Sequence, residues 1–168
     1  MINFFVSLFF LFSNKLPDDL IKMRTHFELM SKSEKNIEAI FKISTESKAV
    51  PDQLKKAYYA AAEMSSAQYK FNPISKINTF SSGRTKLDQV ILENPTSVEM
   101  RYIRFTIQDN APSFLGYNKN LTSDKLFLIK NIKALKQSDI DLYSKIYVYL
   151  LVKANLSEQE KNSLTAQV

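Results

Sequence analysis

The chain has 168 residues, a length that holds one domain with a single sizeable core. Hydrophobic residues make up 45%, which excludes a disordered chain, and only two glycines disfavour a turn-rich all-β protein. The absence of cysteine excludes disulfides and thiol chemistry. The formal charge of +6 is spread along the chain between acids, not gathered on one face as nucleic-acid binding requires, so no nucleic-acid partner is expected.

The first element in chain order is the apolar run Ile2–Ser13 (INFFVSLFFLFS). It falls short of the roughly 20 residues a bilayer span needs, and fits the apolar core of a secretory signal at about 7–15 residues. No Lys or Arg precedes it, and Leu11 stands where cleavage after Ser13 would want a small residue. Residues 1–15 therefore read as a signal peptide or an apolar N-terminal anchor, with a core-packed first helix as the third option. The first reading places the protein in the periplasm or envelope. The second implies membrane association through residues 2–13.

Residues 16–168 read as a single helical domain. Pro17, Pro51, Pro73, Pro95 and Pro112 act as punctuation, since proline is tolerated in a first helical turn and stops a preceding one. Asn72-Pro73 is a cap followed by a first-turn proline. Ser31/Glu34, Thr96/Glu99 and Ser157/Glu160 have capping-box spacing. These signals predict helices near 17–31, 34–47, 52–70, 73–93, 97–110, 122–136, 138–154 and 157–165. The third has a small-residue face, Ala57, Ala60, Ala61, Met64 and Ala67, that invites close approach by a neighbour. The sixth shows Leu128, Ile132 and Leu135 on one side. The seventh shows Tyr143, Ile146, Tyr147, Leu150 and Leu151, a wide apolar face expected of a central helix. Val98–Ile107 also alternates and is rich in β-formers, but the capping signal before it favours helix.

Gly83, Leu87, Val90 and Pro95 stand at the small, large, small and proline positions of the second helix of a tetratricopeptide repeat, and ENPTSVEMRY resembles the corner into a following repeat. The chain departs from that pattern where Arg101, Arg104 and Phe105 replace the usual residues, and the spacing to the preceding helix implies an insertion near residues 70–80. The resemblance implies an all-α, single-domain antiparallel helical array, tetratricopeptide-like, of about seven or eight helices. A second resemblance covers nearly the whole chain. The segments YKFNPISKINTFSSGRTKLDQVI and VEMRYIRFTIQDNAPSFLGYNKNLTSDKLFLIK resemble a family of exported Bacteroidetes-type bacterial proteins of uncharacterised activity. That resemblance implies export and carries over no active site.

Chemistry offers few candidates. His26 is the sole histidine, so a cluster of several histidine metal ligands is excluded within one chain, and no catalytic residue, metal site or cofactor is expected. Asp18-Asp19 and Asp139/Asp141 sit at helix starts, where acids complement the dipole. What remains is the stripe Arg101, Arg104 and Gln108 on one helical face, with Asn110, Phe114, Tyr117 and Asn120 nearby. Two arginine forks could hold a carboxylate or phosphate. The competing reading makes Asn110 and Asn120 caps, packs Pro112, Phe114 and Tyr117 on the core, and gives Gly116 a positive-φ turn. The expected function is protein interaction or scaffolding in the cell envelope with an unknown protein partner. A small-ligand or envelope-component binder using the arginine face is the alternative, and an enzyme the remote one.

Overall fold

In the computed structural model, which describes residues 16–166, the chain is an array of helices packed around one continuous core. They are α1 (Asp18–Leu29), α2 (Glu34–Glu46), α3 (Asp52–Ser66), α4 (Pro73–Glu93), α5 (Val98–Asn110), α6 (Leu121–Asn131), the single turn α7 (Leu135–Ser138), α8 (Ile140–Val152) and α9 (Glu158–Thr165). Short 3-10 turns at Ala67–Tyr69, Ser113–Leu115 and Ile132–Ala134 join them. No strand occurs among the described residues, so the alternating segment Val98–Ile107 is helical. The apolar run Ile2–Ser13 lies outside the described residues.

The helix starts follow local chemistry. Asn72 Oδ1 accepts from the Ile74 N–H at 2.8 Å, with Pro73 in the first turn, as the sequence implies. Ser157 and Glu160 form a full capping box: Ser157 Oγ accepts from the Glu160 N–H at 3.2 Å, and the Glu160 carboxylate accepts from the Ser157 N–H at 2.8 Å. The other two boxes do not form. Ser33 caps α2 in place of Ser31, and Ser97 caps α5 in place of Thr96 by accepting from the Met100 N–H at 3.3 Å. Glu99 is drawn inward to Arg24 instead, a partner 75 residues away that local spacing cannot reveal. The helix expected at 122–136 ends at Asn131, whose side chain donates back to the Phe127 carbonyl at 2.8 Å. Asp139 then starts α8 by accepting from the Leu142 N–H at 3.0 Å.

Packing is tightest in the α3–α4 hairpin. The alanine face of α3 lies against Gly83, where an added Cβ would come within 2.6 Å of Met64 Cγ and 2.7 Å of the Ala60 carbonyl oxygen. No insertion separates these helices. The extra length near residues 70–80 belongs mostly to α4 itself, whose first turns run on into solvent and expose Ile74 and Ile77. The central helix is α5, buried at nearly every position from Glu99 to Gln108. It is not α8, which buries Leu142, Tyr143, Ile146 and Leu150 but leaves Val148, Leu151 and Val152 exposed.

Candidate functional site

The arginine stripe is an internal ion cluster. Asp124 on α6 is fully buried, and both α5 arginines converge on it. Arg104 donates from Nε and Nη2 to the two carboxylate oxygens at 2.7 and 2.9 Å, and Arg101 donates from Nη1 at 2.9 Å. Arg104 also reaches Asp88 of α4 at 3.2 Å, so three helices meet at this fork. Arg101 donates to the Pro95 carbonyl at 2.9 Å and stacks over the Phe127 ring at 4.3 Å. Burying charge is costly unless it is paired and hydrogen-bonded, which is the arrangement found. Gln108, one turn further on, is buried and its amide makes no hydrogen bond among the described residues.

The remaining candidates divide. Tyr117 is buried edge-on against Phe80, and its hydroxyl donates to Asp88 at 2.9 Å; burial first, and then the Asp88 carboxylate, push its pKa well up. Asn120 begins α6 with its backbone carbonyl, which accepts from the Asp124 N–H at 2.8 Å, while its side chain makes no cap bond. Gly116 adopts φ 57°, the left-handed turn conformation expected of it. Asn110 donates to the Thr106 carbonyl and to the Tyr149 hydroxyl, each at 2.7 Å. Phe114 does not pack on the core, being 81% exposed. Arg101, Arg104, Tyr117 and Asn120 thus stand together at the α4–α5–α6 junction, whereas Asn110 and Phe114 open onto a different surface.

Sequence reasoning missed a second cluster, built on Arg24 of α1. Only 2% exposed, Arg24 donates to both Glu99 oxygens at 2.7 and 2.8 Å, to Asp139 at 2.6 and 2.9 Å and to Asp141 at 3.0 Å. The Tyr58 hydroxyl donates to Glu99 at 2.7 Å. The carboxylates hold the Arg24 guanidinium firmly protonated despite the opposing effect of burial. The helix-start acids Asp139 and Asp141 therefore bolt α1 to α8. An arginine between Met23 and Thr25 on a first helix gives no local hint of this. His26 lies with Nδ1 2.9 Å from Asn36 Oδ1, a contact between α1 and α2. Among the described residues no cluster of three or more His, Asp or Glu side chains is spaced to hold a metal ion.

The surface that Asn110 and Phe114 open onto is a groove of about 1230 Å³. Its base is buried apolar surface from four helices: Phe27 of α1, Ala61 and Met64 of α3, Phe80 of α4, and Tyr102 and Ile107 of α5. Ile77 rises from α4, Phe114 from the turn after α5, and Val148 and Val152 from α8. These four are between 53% and 81% exposed. On α4 the lining residues Pro73, Lys76, Ile77 and Phe80 recur at helical spacing, as do Ser144, Lys145, Val148 and Val152 on α8. Each helix thus turns one stripe into the groove. A shallower hollow of about 550 Å³ runs along the outer side of α4 beside Arg84 and Asp88. Arg84 there stacks over Tyr117 at 4.9 Å.

No family model, curated protein or solved structure matches the chain. Among the described residues no helix is long and apolar enough to cross a membrane.

Proposed function

We propose that the chain is a protein-interaction module that seats the apolar face of a partner helix in the groove between α4 and α8. The observation that carries this reading is the set Ile77, Phe114, Val148 and Val152, held exposed around an apolar base. Contiguous exposed apolar surface of this kind marks binding sites on soluble proteins. Size selects the occupant. Small-molecule pockets run to about 300–1,000 Å³ and bury most of their ligand. Ten helical residues, about 15 Å long and 10 Å across, fill roughly 1,200 Å³, close to the volume here.

The reading agrees with the tetratricopeptide-like pattern of Gly83, Leu87, Val90 and Pro95, a fold type that exposes concave helical surfaces to partners. Export to the envelope remains part of the proposal and rests on Ile2–Ser13 and on the resemblance to exported bacterial proteins. The small-ligand alternative at the arginine face has less support, because both guanidinium groups are engaged by Asp88, Asp124 and the Pro95 carbonyl.

A photo-crosslinking residue placed at Val152, with Lys42 on the exposed side of α2 as control, tests the proposal in cells of the native host. A discrete protein adduct from position 152 that is absent from position 42 is the expected result. Identical adduct patterns, or none from position 152, would contradict it.

A further inference from the structure

The charges around the groove say what kind of helix it receives, an inference that rests on the helix-in-groove reading. Four lysines line it, Lys32, Lys76, Lys145 and Lys153, against two carboxylates, Glu28 and Asp141. Lys145 engages both carboxylates, at 3.0 Å from Glu28 and 3.7 Å from Asp141, and Asp141 is also held by Arg24. Glu28 and Asp141 are therefore each already ion-paired within the protein. Lys32, Lys76 and Lys153 are exposed and form no ion pair among the described residues, though they sit at the edge of an apolar surface. Lys32 follows α1, Lys76 precedes Ile77 on α4, and Lys153 follows Val152 at the end of α8, so each cation stands close to a wall of the groove.

We infer that the partner is an amphipathic helix of about three turns whose apolar stripe fills the groove and whose flanking carboxylates meet Lys32, Lys76 and Lys153. Charge complementarity of this kind sets register and excludes wrong partners more than it adds raw affinity. A second copy of the chain fits poorly, because a symmetric pairing of grooves brings like lysine sets together. A flat lipid surface would leave the concavity unfilled.

The test uses the full chain and fluorescent twelve-residue peptides with leucines at i, i+3, i+4 and i+7. One peptide carries glutamates at the flanking positions, and one carries lysines. Anisotropy at about 0.05 M salt is expected to show roughly tenfold tighter binding of the glutamate peptide, with the gap closing near 0.5 M salt. The triple variant Lys32→Glu, Lys76→Glu, Lys153→Glu replaces only exposed, unpaired side chains and keeps its melting temperature; it is expected to reverse the preference. If both peptides bind equally, and Val148→Asp abolishes both, the charge inference is overturned while the groove reading stands. If neither binds, both fail. Concentration-dependent dimers in sedimentation, or binding to vesicles of anionic lipid that outcompetes the glutamate peptide, would overturn the inference in favour of those occupants.

Discussion

At the residue scale, the two α5 arginines differ sharply in what they hold. Arg104 makes two charge-assisted bonds to a carboxylate with no solvent exposure and a third to Asp88. Arg101 is partly open to water, and its loss leaves Arg104 still paired with Asp124. Removing one partner of a buried ion pair costs about 3–5 kcal/mol, because the other charge stays buried. Arg104→Ala is therefore expected to lose about 3 kcal/mol in chemical denaturation, and Arg101→Ala about 1 kcal/mol. Equal losses would mean that the cluster does not depend on the doubly bonded fork. The sequence showed that Arg101, Arg104 and Gln108 share a helical face, and the face exists. It could not show that Asp124, 20 residues on, lies directly against it. Helical periodicity locates a side chain around its own axis and says nothing about which distant helix approaches. The same blindness hid Arg24, whose partners lie 75 and 115 residues away.

At the element scale, local signals were legible wherever the controlling contact was also local. Asn72-Pro73, the Ser157/Glu160 box and the small face of α3 all appear as written in the chain. Thr96/Glu99 misled because tertiary electrostatics took Glu99 for Arg24 and left Ser97 to cap α5. α5 looked ambiguous for a related reason. A helix buried on nearly every side carries apolar residues around most of its circumference, so its residues alternate as readily as they spiral. Conversely, the broad apolar face of α8 suggested a central helix, yet Leu151 on that face is exposed and a separate stripe of the same helix, with Val148 and Val152, lines the groove. The α3–α4 hairpin supplies the sharpest element-level expectation. Gly83→Ala gains about 1 kcal/mol of helix propensity, but its methyl group meets Ala60 backbone and Met64 at distances no packed Cβ tolerates. Overpacking costs about 1–3 kcal/mol, and the melting temperature is expected to fall. A rise would show that the two helices stand further apart.

For the whole molecule, interior polar groups set how stability responds to alkali. Burial first, then nearby carboxylates (Glu99 at Tyr58, Glu28 at Tyr102, Asp88 at Tyr117), raises the pKa of these three buried tyrosines above the ordinary value of about 10. The folded chain keeps these protons where the unfolded chain would release them. Their stabilising contribution is accordingly whole below about pH 10 and is lost as pH climbs past it. Of the eight tyrosines in the chain, these three are expected to ionise only as circular dichroism records unfolding. Smooth ionisation of all eight near pH 10 with helicity intact would contradict this. The same whole-molecule view separates what holds the fold from what it presents: ion clusters and core lie inside, while Ile77, Phe114, Val148 and Val152 contribute exposed surface around a concavity. The most direct test of that division is an NMR titration of the full chain with the glutamate-flanked peptide. The account predicts that amide shifts concentrate at Ile77, Phe114, Val148 and Val152 while those of Arg101, Arg104 and Asp124 stay in place. Shifts centred on the Arg101–Asp124 junction, or none at the groove with saturating peptide, would contradict it.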